Sequence, residues 1–183
     1  NKSSTPLGFC ISELKNNDIV KDTFTKKGLS VELMDCMPFS TIDKVFNLMR
    51  EKLCNSSYAI SMEYGFTLTN DKIELPFNIY DVLDEIFEII YDNPFKPIEG
   101  YYYNGYKMVK GKYINIDFTD QIYLPYIKKL TSGVSFDYVF IDEAQDLNKA
   151  QIELALSAVK PIAGRVVAVL DNYQALYSWR GAD

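Results

Sequence analysis

The stretch that most constrains the fold runs from 138 to 171. It opens on Tyr138-Val139-Phe140-Ile141, an apolar run that reads as a strand buried on both faces and stops abruptly at Asp142-Glu143. Asn148 then suits the N-cap of a helix whose apolar positions, Ile152, Ala155, Leu156 and Val159, recur at helical spacing until Lys160-Pro161 ends it. A second apolar run from Val166 to Leu170 also ends in an acid, Asp171, with Gln174 three residues on. The pattern is β-α-β. A right-handed crossover makes the two strands parallel, so Asp142, Glu143, Asp171 and Gln174 are expected along one edge of the sheet. Ligands of open α/β sheets bind beyond the carboxyl ends of the strands, which is where a metal-bound nucleotide would meet these acids.

What the chain lacks narrows the chemistry further. It contains no histidine, which removes Ser-His and Cys-His nucleophilic sites and histidine-ligated zinc and leaves a carboxylate as the general base. The net charge of −6 and a pI near 4.8 argue against broad electrostatic coating of a duplex, so any nucleic acid must be held by local contacts. Cys10, Cys36 and Cys54 have no CxxC spacing and read as free thiols in a reducing compartment. With 183 residues, 48% hydrophobic and 24% charged, the chain has a globular composition and room for one ordinary domain. No apolar run approaches the roughly 20 residues that span a bilayer, and the N-terminus is not a signal peptide, so the expectation is a soluble cytoplasmic protein with no membrane partner.

Two segments of this stretch resemble a known family. Asp142-Glu143-Ala144-Gln145-Asp146 is similar to motif II (Walker B) of the superfamily 1 helicases of the UvrD/Rep type, and the run from Asp171 to Ala182, DNYQALYSWRGA, resembles their motif III. The resemblance implies an ATP-dependent DNA helicase or translocase that works on single-stranded DNA or a single-strand/duplex junction, with ATP and Mg2+. Asp142 suits the magnesium ion, since a carboxylate at a strand tip can hold it directly or through a water, and Glu143 suits the attacking water. By resemblance, Gln174 touches the γ-phosphate with Asp171 beside it. Tyr177, Trp179 and Arg180 then form the DNA surface, the indole stacking on a base and the guanidinium serving a phosphate or an acid such as Asp146. The plainer alternatives are a helix N-terminal acid at Asp146 and a core tryptophan at Trp179.

The rest of the chain divides at two points. Residues 1–46 read as the N-terminal part of a RecA-like motor domain, in which Asn1-Lys2 and the weakly helical stretch to Lys15 resemble the tail of motif Ia. Ser40 to Phe46 resembles motif Ib, which implies a phosphate contact for Thr41, although Asp43 stands where the family has histidine. The same residues also read as an N-cap, Ser40 or Thr41, with a helix whose apolar face is Ile42, Val45, Phe46 and Met49. Residues 47–115 read as an inserted subdomain: an amphipathic helix from Ile79 to Ile90, stopped by Asn93-Pro94 and Lys96-Pro97, then a hairpin from Tyr101 to Ile116 around an Asn104-Gly105 turn of the I′ kind. Its tyrosines and lysines can stack bases, but cross-strand pairing with solvated lysines is the preferred reading. Residues 116–183 return to the motor core. Asn115 to Ile122 resembles the DFDD segment that precedes motif II, with Asp117 as cap of a helix through Ile122, Tyr126 and Ile127 that Thr131-Ser132-Gly133 closes.

The fold class expected is therefore α/β: a partial RecA-like, P-loop NTPase parallel sheet with a mostly helical insertion and a small β-hairpin. No G-x-x-x-x-G-K-[ST] loop occurs in the sequence, and Leu170 replaces the glycine usual before the motif III aspartate. The chain thus reads as a piece of a helicase, expected not to turn over ATP in isolation. An alternative is a catalytically inactive single-strand-binding or protein-interaction module derived from a helicase. A metal-dependent nuclease using Asp142, Glu143 and Asp171 is disfavoured, because two-metal sites need more converging acids.

Overall fold

The computed structural model describes residues 17–68, 74–92, 94–95, 97–114 and 116–171. The motif Ia stretch, Asn93, Lys96, Asn115 and the run holding Gln174, Tyr177, Trp179 and Arg180 lie outside the described residues. The chain forms two compact units, 1–43 with 65–117 and 44–64 with 118–183.

In the first unit, helix α1 (Asp18–Lys26) begins where the Asn17 side chain accepts the Ile19 N–H at 2.9 Å. It buries Val20, Thr23 and Phe24, one face at i, i+3, i+4 spacing. After Gly28, which takes a left-handed φ of 88°, Ser30 caps the short α2 (Val31–Asp35). The sequence reading expects neither helix; α2 is barely one turn. Helix α1 packs on α5 (Ile79–Asp92), which buries Ile79, Val82, Leu83, Ile86, Phe87 and Tyr91, while the Phe24 and Phe77 rings lie 6.2 Å apart. Of the face that periodicity predicts, Val82, Leu83, Ile86 and Phe87 are buried, whereas Ile90 is half-buried and the helix runs on to Asp92. Each such side chain contributes about 1.5–3 kcal/mol on burial.

A hairpin follows, β1 (Ile98–Tyr103) antiparallel to β2 (Met108–Tyr113), with Tyr103 opposite Met108. Its turn corrects the sequence expectation by one residue. The Asn104 carboxamide oxygen accepts the N–H groups of Tyr106 and Lys107, and Asn104 N–H donates to the Lys107 carbonyl. Asn104 is therefore the residue before the turn. Gly105 and Tyr106 are central, and Gly105 alone of the two carries a positive φ, 94°, whereas a I′ turn needs one at both.

The division between the units falls within α3 (Phe39–Glu51). This helix starts before the expected cap: the Pro38 carbonyl accepts the N–H groups of Thr41 and Ile42, leaving Ser40 and Thr41 inside the first turn. The expected apolar face holds, with Ile42, Val45, Phe46 and Met49 all buried.

In the second unit, α3 brings in Arg50, 1% exposed, whose Nη1 meets Asp120 Oδ1 at 2.5 Å. Arg50 also donates to Asn47 Oδ1 and, at 3.4 Å, to the Phe46 carbonyl. Asp120 opens α6 (Asp120–Ile127), and burial pushes the pKa of the neighbouring Tyr123 phenol up while the Arg50 charge pulls it back. Helix α4 (Ser57–Tyr64) completes this segment and buries Ser57, Ile60 and Ser61. The expected cap of α6 needs correction. Thr119, not Asp117, occupies the N-cap and makes no side-chain cap bond, while Asp117 itself is buried. The helix also stops at Ile127, before Thr131-Ser132-Gly133, and Lys129 takes a left-handed φ of 51°.

Strand β3 (Tyr138–Ile141) pairs in parallel with β4 (Arg165–Ala168), Tyr138 opposite Arg165 and Ile141 opposite Ala168, and α7 (Lys149–Ser157) forms the crossover. The predicted β-α-β unit is present, so the chain is mixed α/β with a small parallel sheet. Asn148 caps α7 as expected, and Gln151 closes a reciprocal capping box. Helix α7 packs on α6, where Tyr126 reaches Glu153 at 3.5 Å.

Burial of the strands departs from expectation. Tyr138 and Phe140 are 61% and 74% exposed, Val166 and Val167 are also exposed, and only Ile141 is buried. A strand is covered on both faces only when layers lie on each side, and β3–β4 is a two-stranded sheet among the described residues. Tyr138 and Phe140 lie two residues apart on one face, their rings nearly parallel with centroids at 6.3 Å.

The return from α7 to β4 depends on Gly164. A Cβ there would stand 2.4 Å from Val159 Cγ1 and 2.6 Å from the Lys160 carbonyl oxygen. The backbone contact cannot rotate away, so Gly164→Ala is expected to destabilise the protein by about 1–3 kcal/mol, read as a lower denaturation midpoint.

Candidate nucleotide-hydrolysis site

The β3 strand ends in a sharp turn. Ile141 is the last strand residue, and Asp142 and Glu143 follow with exposed side chains. The ladder continues past β3: Val169 N–H donates to the Ile141 carbonyl at 2.8 Å, and Ala144 N–H donates to the Val169 carbonyl at 2.9 Å. The segment after the strand is thus stapled to the exit of β4. Between the staples Glu143 sits in the left-handed region, φ 50° and ψ 46°, a costly conformation for a residue with a Cβ and one that concentrates at functional sites. A single 3-10 turn (Ala144–Asp146) then leads to the cap of α7.

Side chains close the arrangement. Asp142 Oδ1 accepts the Glu143 N–H at 3.1 Å. Gln145, buried, donates from Nε2 to Glu143 Oε2 at 2.6 Å and accepts the Asp171 N–H on Oε1 at 2.9 Å. Asp142, Glu143 and Asp171, predicted to share one sheet edge, are brought together there by the parallel pairing and by Gln145. Asp146 Oδ1 is buried and accepts no hydrogen bond among the described residues. Gln174, Tyr177, Trp179 and Arg180 lie outside the described residues. Thr41 belongs to the other compact unit, half-buried in the first turn of α3.

A family model described as the UvrD/REP helicase N-terminal domain matches residues 84–183, 100 of the 183 residues. The chain belongs to this UvrD/REP helicase family. The matched span of this family member covers the hairpin, α6, the β3-α7-β4 unit and the turn that carries Asp142 and Glu143. Comparisons with curated proteins and with solved structures found no match.

Gln145 is the residue that sequence reasoning passed over. Hydrophobic periodicity is silent about it. The one available signal was its spacing: a long amide two residues after an acid, in a strand-to-helix turn, can fold back onto that acid's carboxylate.

Residues for a magnesium ion can be tested on the donor set. Asp142 offers a hard carboxylate oxygen at a strand tip, and no group of three Asp, Glu or Cys residues is arranged to hold a metal among the described residues. A single protein carboxylate fits magnesium, which keeps several waters and takes its other ligands from substrate phosphates.

Proposed function

We propose that this UvrD/REP-family chain serves ATP-dependent translocation along single-stranded DNA, with the unit holding β3, α7 and β4 as part of a RecA-like, P-loop NTPase sheet. The observation that carries the reading is the left-handed turn at Glu143, held by the Gln145 amide at the carboxyl end of a parallel strand. In this reading Asp142 holds Mg2+, which supplies charge neutralisation on the phosphates when bound. Glu143, the carboxylate set by Gln145, orients the attacking water and takes its proton. Asp171 and Gln174 lie along the nucleotide edge, with Gln174 on the γ-phosphate. Thr41 meets a DNA phosphate, Tyr177 and Trp179 belong to the DNA surface with the indole stacking on a base, and Arg180 serves a phosphate or an acid such as Asp146. No described helix is long and apolar enough to cross a membrane.

The test is ATP turnover by the full-length protein with and without oligo-dT. Stimulated hydrolysis is the expected result, and hydrolysis of DNA instead of ATP would overturn the reading. The DNA side is read through Trp179, the one tryptophan of the sequence. Oligo-dT is expected to quench its fluorescence. Trp179→Ala is expected to weaken single-strand binding by about 1–3 kcal/mol, the worth of one base stacked on an aromatic ring, with the melting midpoint within a few degrees. Unchanged DNA affinity together with a large drop in melting temperature would make Trp179 a packing residue.

A further inference from the structure

The Gln145 side chain is bonded at both ends, and its two neighbours dictate which end is which. Glu143 presents a carboxylate oxygen at 2.6 Å, which requires a donor, so Nε2 faces it. Asp171 presents a backbone N–H at 2.9 Å, which requires an acceptor, so Oε1 faces that. A flipped amide would set acceptor against acceptor and donor against donor, so one orientation is selected. Burial adds to the selectivity: Gln145 is 8% exposed, so its amide has few other partners to turn to. The 3-10 turn and the Ala144–Val169 hydrogen bond fix the backbone from which this side chain projects.

We propose that Gln145 is a positioning residue for ATP hydrolysis: its amide sets the Glu143 carboxylate and joins it to the backbone entering the segment that starts at Asp171. This rests on the reading of Glu143 as the base. Glu143 follows a strand end in an uncommon backbone region, so its carboxylate has no sheet or helix to orient it, and the Gln145 donor supplies that orientation. Because the same planar amide holds the Asp171 N–H, a shift of the chain at 171 moves the amide and with it the carboxylate. A shift at Asp171 therefore reaches the base through this side chain.

Two near-isosteric variants in the full-length protein separate the two bonds. Gln145→Met removes both. Gln145→Glu keeps an acceptor for Asp171 N–H but has no donor for Glu143. Both are expected to lower kcat for oligo-dT-stimulated ATP hydrolysis by tenfold or more, with KM for ATP within about threefold. The stimulation ratio, with DNA over without, is expected to collapse in both variants, because each lacks the bond to Glu143 that completes the link from Asp171. Wild-type kcat in Gln145→Glu overturns the proposal, as does an undiminished stimulation ratio in either variant. Should Gln145→Met fail to fold, the kcat of Gln145→Glu decides the positioning of Glu143. A Glu143→Gln control keeps the outcomes distinguishable: if it retains full turnover, the base assignment itself has failed, whereas a dead Glu143→Gln beside a fully active Gln145→Glu condemns the Gln145 role alone.

Discussion

Glu143→Gln in the full-length protein is expected to lower ATP turnover by a factor of order 10² or more while leaving nucleotide binding nearly unchanged. The amide has the size of the carboxylate and can still touch a water, but it cannot accept the proton that the water must lose. A hundredfold loss corresponds to about 2.7 kcal/mol in the barrier. The substitution also places an amide opposite the Gln145 Nε2 donor, and the new side chain can turn its oxygen toward that donor, so the turn itself is expected to survive. Asp142→Asn separates the neighbouring role. Asp142 bonds only the Glu143 N–H among the described contacts, which an amide oxygen can also accept, so its loss is expected to show as weaker magnesium-dependent nucleotide binding. The checks are steady-state turnover and titration with a fluorescent nucleotide at fixed and varied magnesium. Normal hydrolysis by both variants would remove the Walker B assignment.

Arg50→Met is expected to destabilise the protein by about 3–5 kcal/mol, read as a lower denaturant midpoint with little change in slope. The cause is the partner left behind. Asp120 is 2% exposed and loses the guanidinium at 2.5 Å, so an ionised carboxylate stays buried without its counter-charge. Asn47 Oδ1 and the Phe46 carbonyl lose a donor as well. Against the 5–15 kcal/mol that typically separates folded from unfolded states, this single change removes a large share. Adding Asp120→Leu is expected to recover much of the loss, because two apolar groups of similar volume replace two desolvated charges. An Arg50→Met midpoint close to wild type would mean that the pair is solvated.

The local patterns were readable where one energy term dominates. Most of the apolar face of α5, the Asn148 cap and the acid-ended strand β3 each follow from periodicity or from one hydrogen bond between near neighbours, whereas β4 stops at Ala168, before the expected Leu170. The hairpin was legible but its turn was displaced by one residue. Asn104 can stand either at the centre of a turn or before it, and its carboxamide bonds to Tyr106 and Lys107 choose the second. The cap of α6 failed for a similar reason: Asp117 is suited to cap a helix, yet it is buried outside one, and Thr119 holds the position without a side-chain bond.

By itself the sequence determined the β-α-β unit, the family to which its motifs belong, and the placing of Asp142, Glu143 and Asp171 at the ends of two strands. Only the tertiary structure decided three things: that Arg50 and Asp120, 70 residues apart, share one buried ion pair; that Glu143 adopts a left-handed backbone; and that Gln145 bridges it to Asp171 across 26 residues. Hydrophobic patterning is written in the spacing of neighbours along the chain, and so it can be read there. A polar bond between distant residues leaves no periodic trace, because its energy depends on a distance and an angle that exist only once the strands are paired and water is excluded.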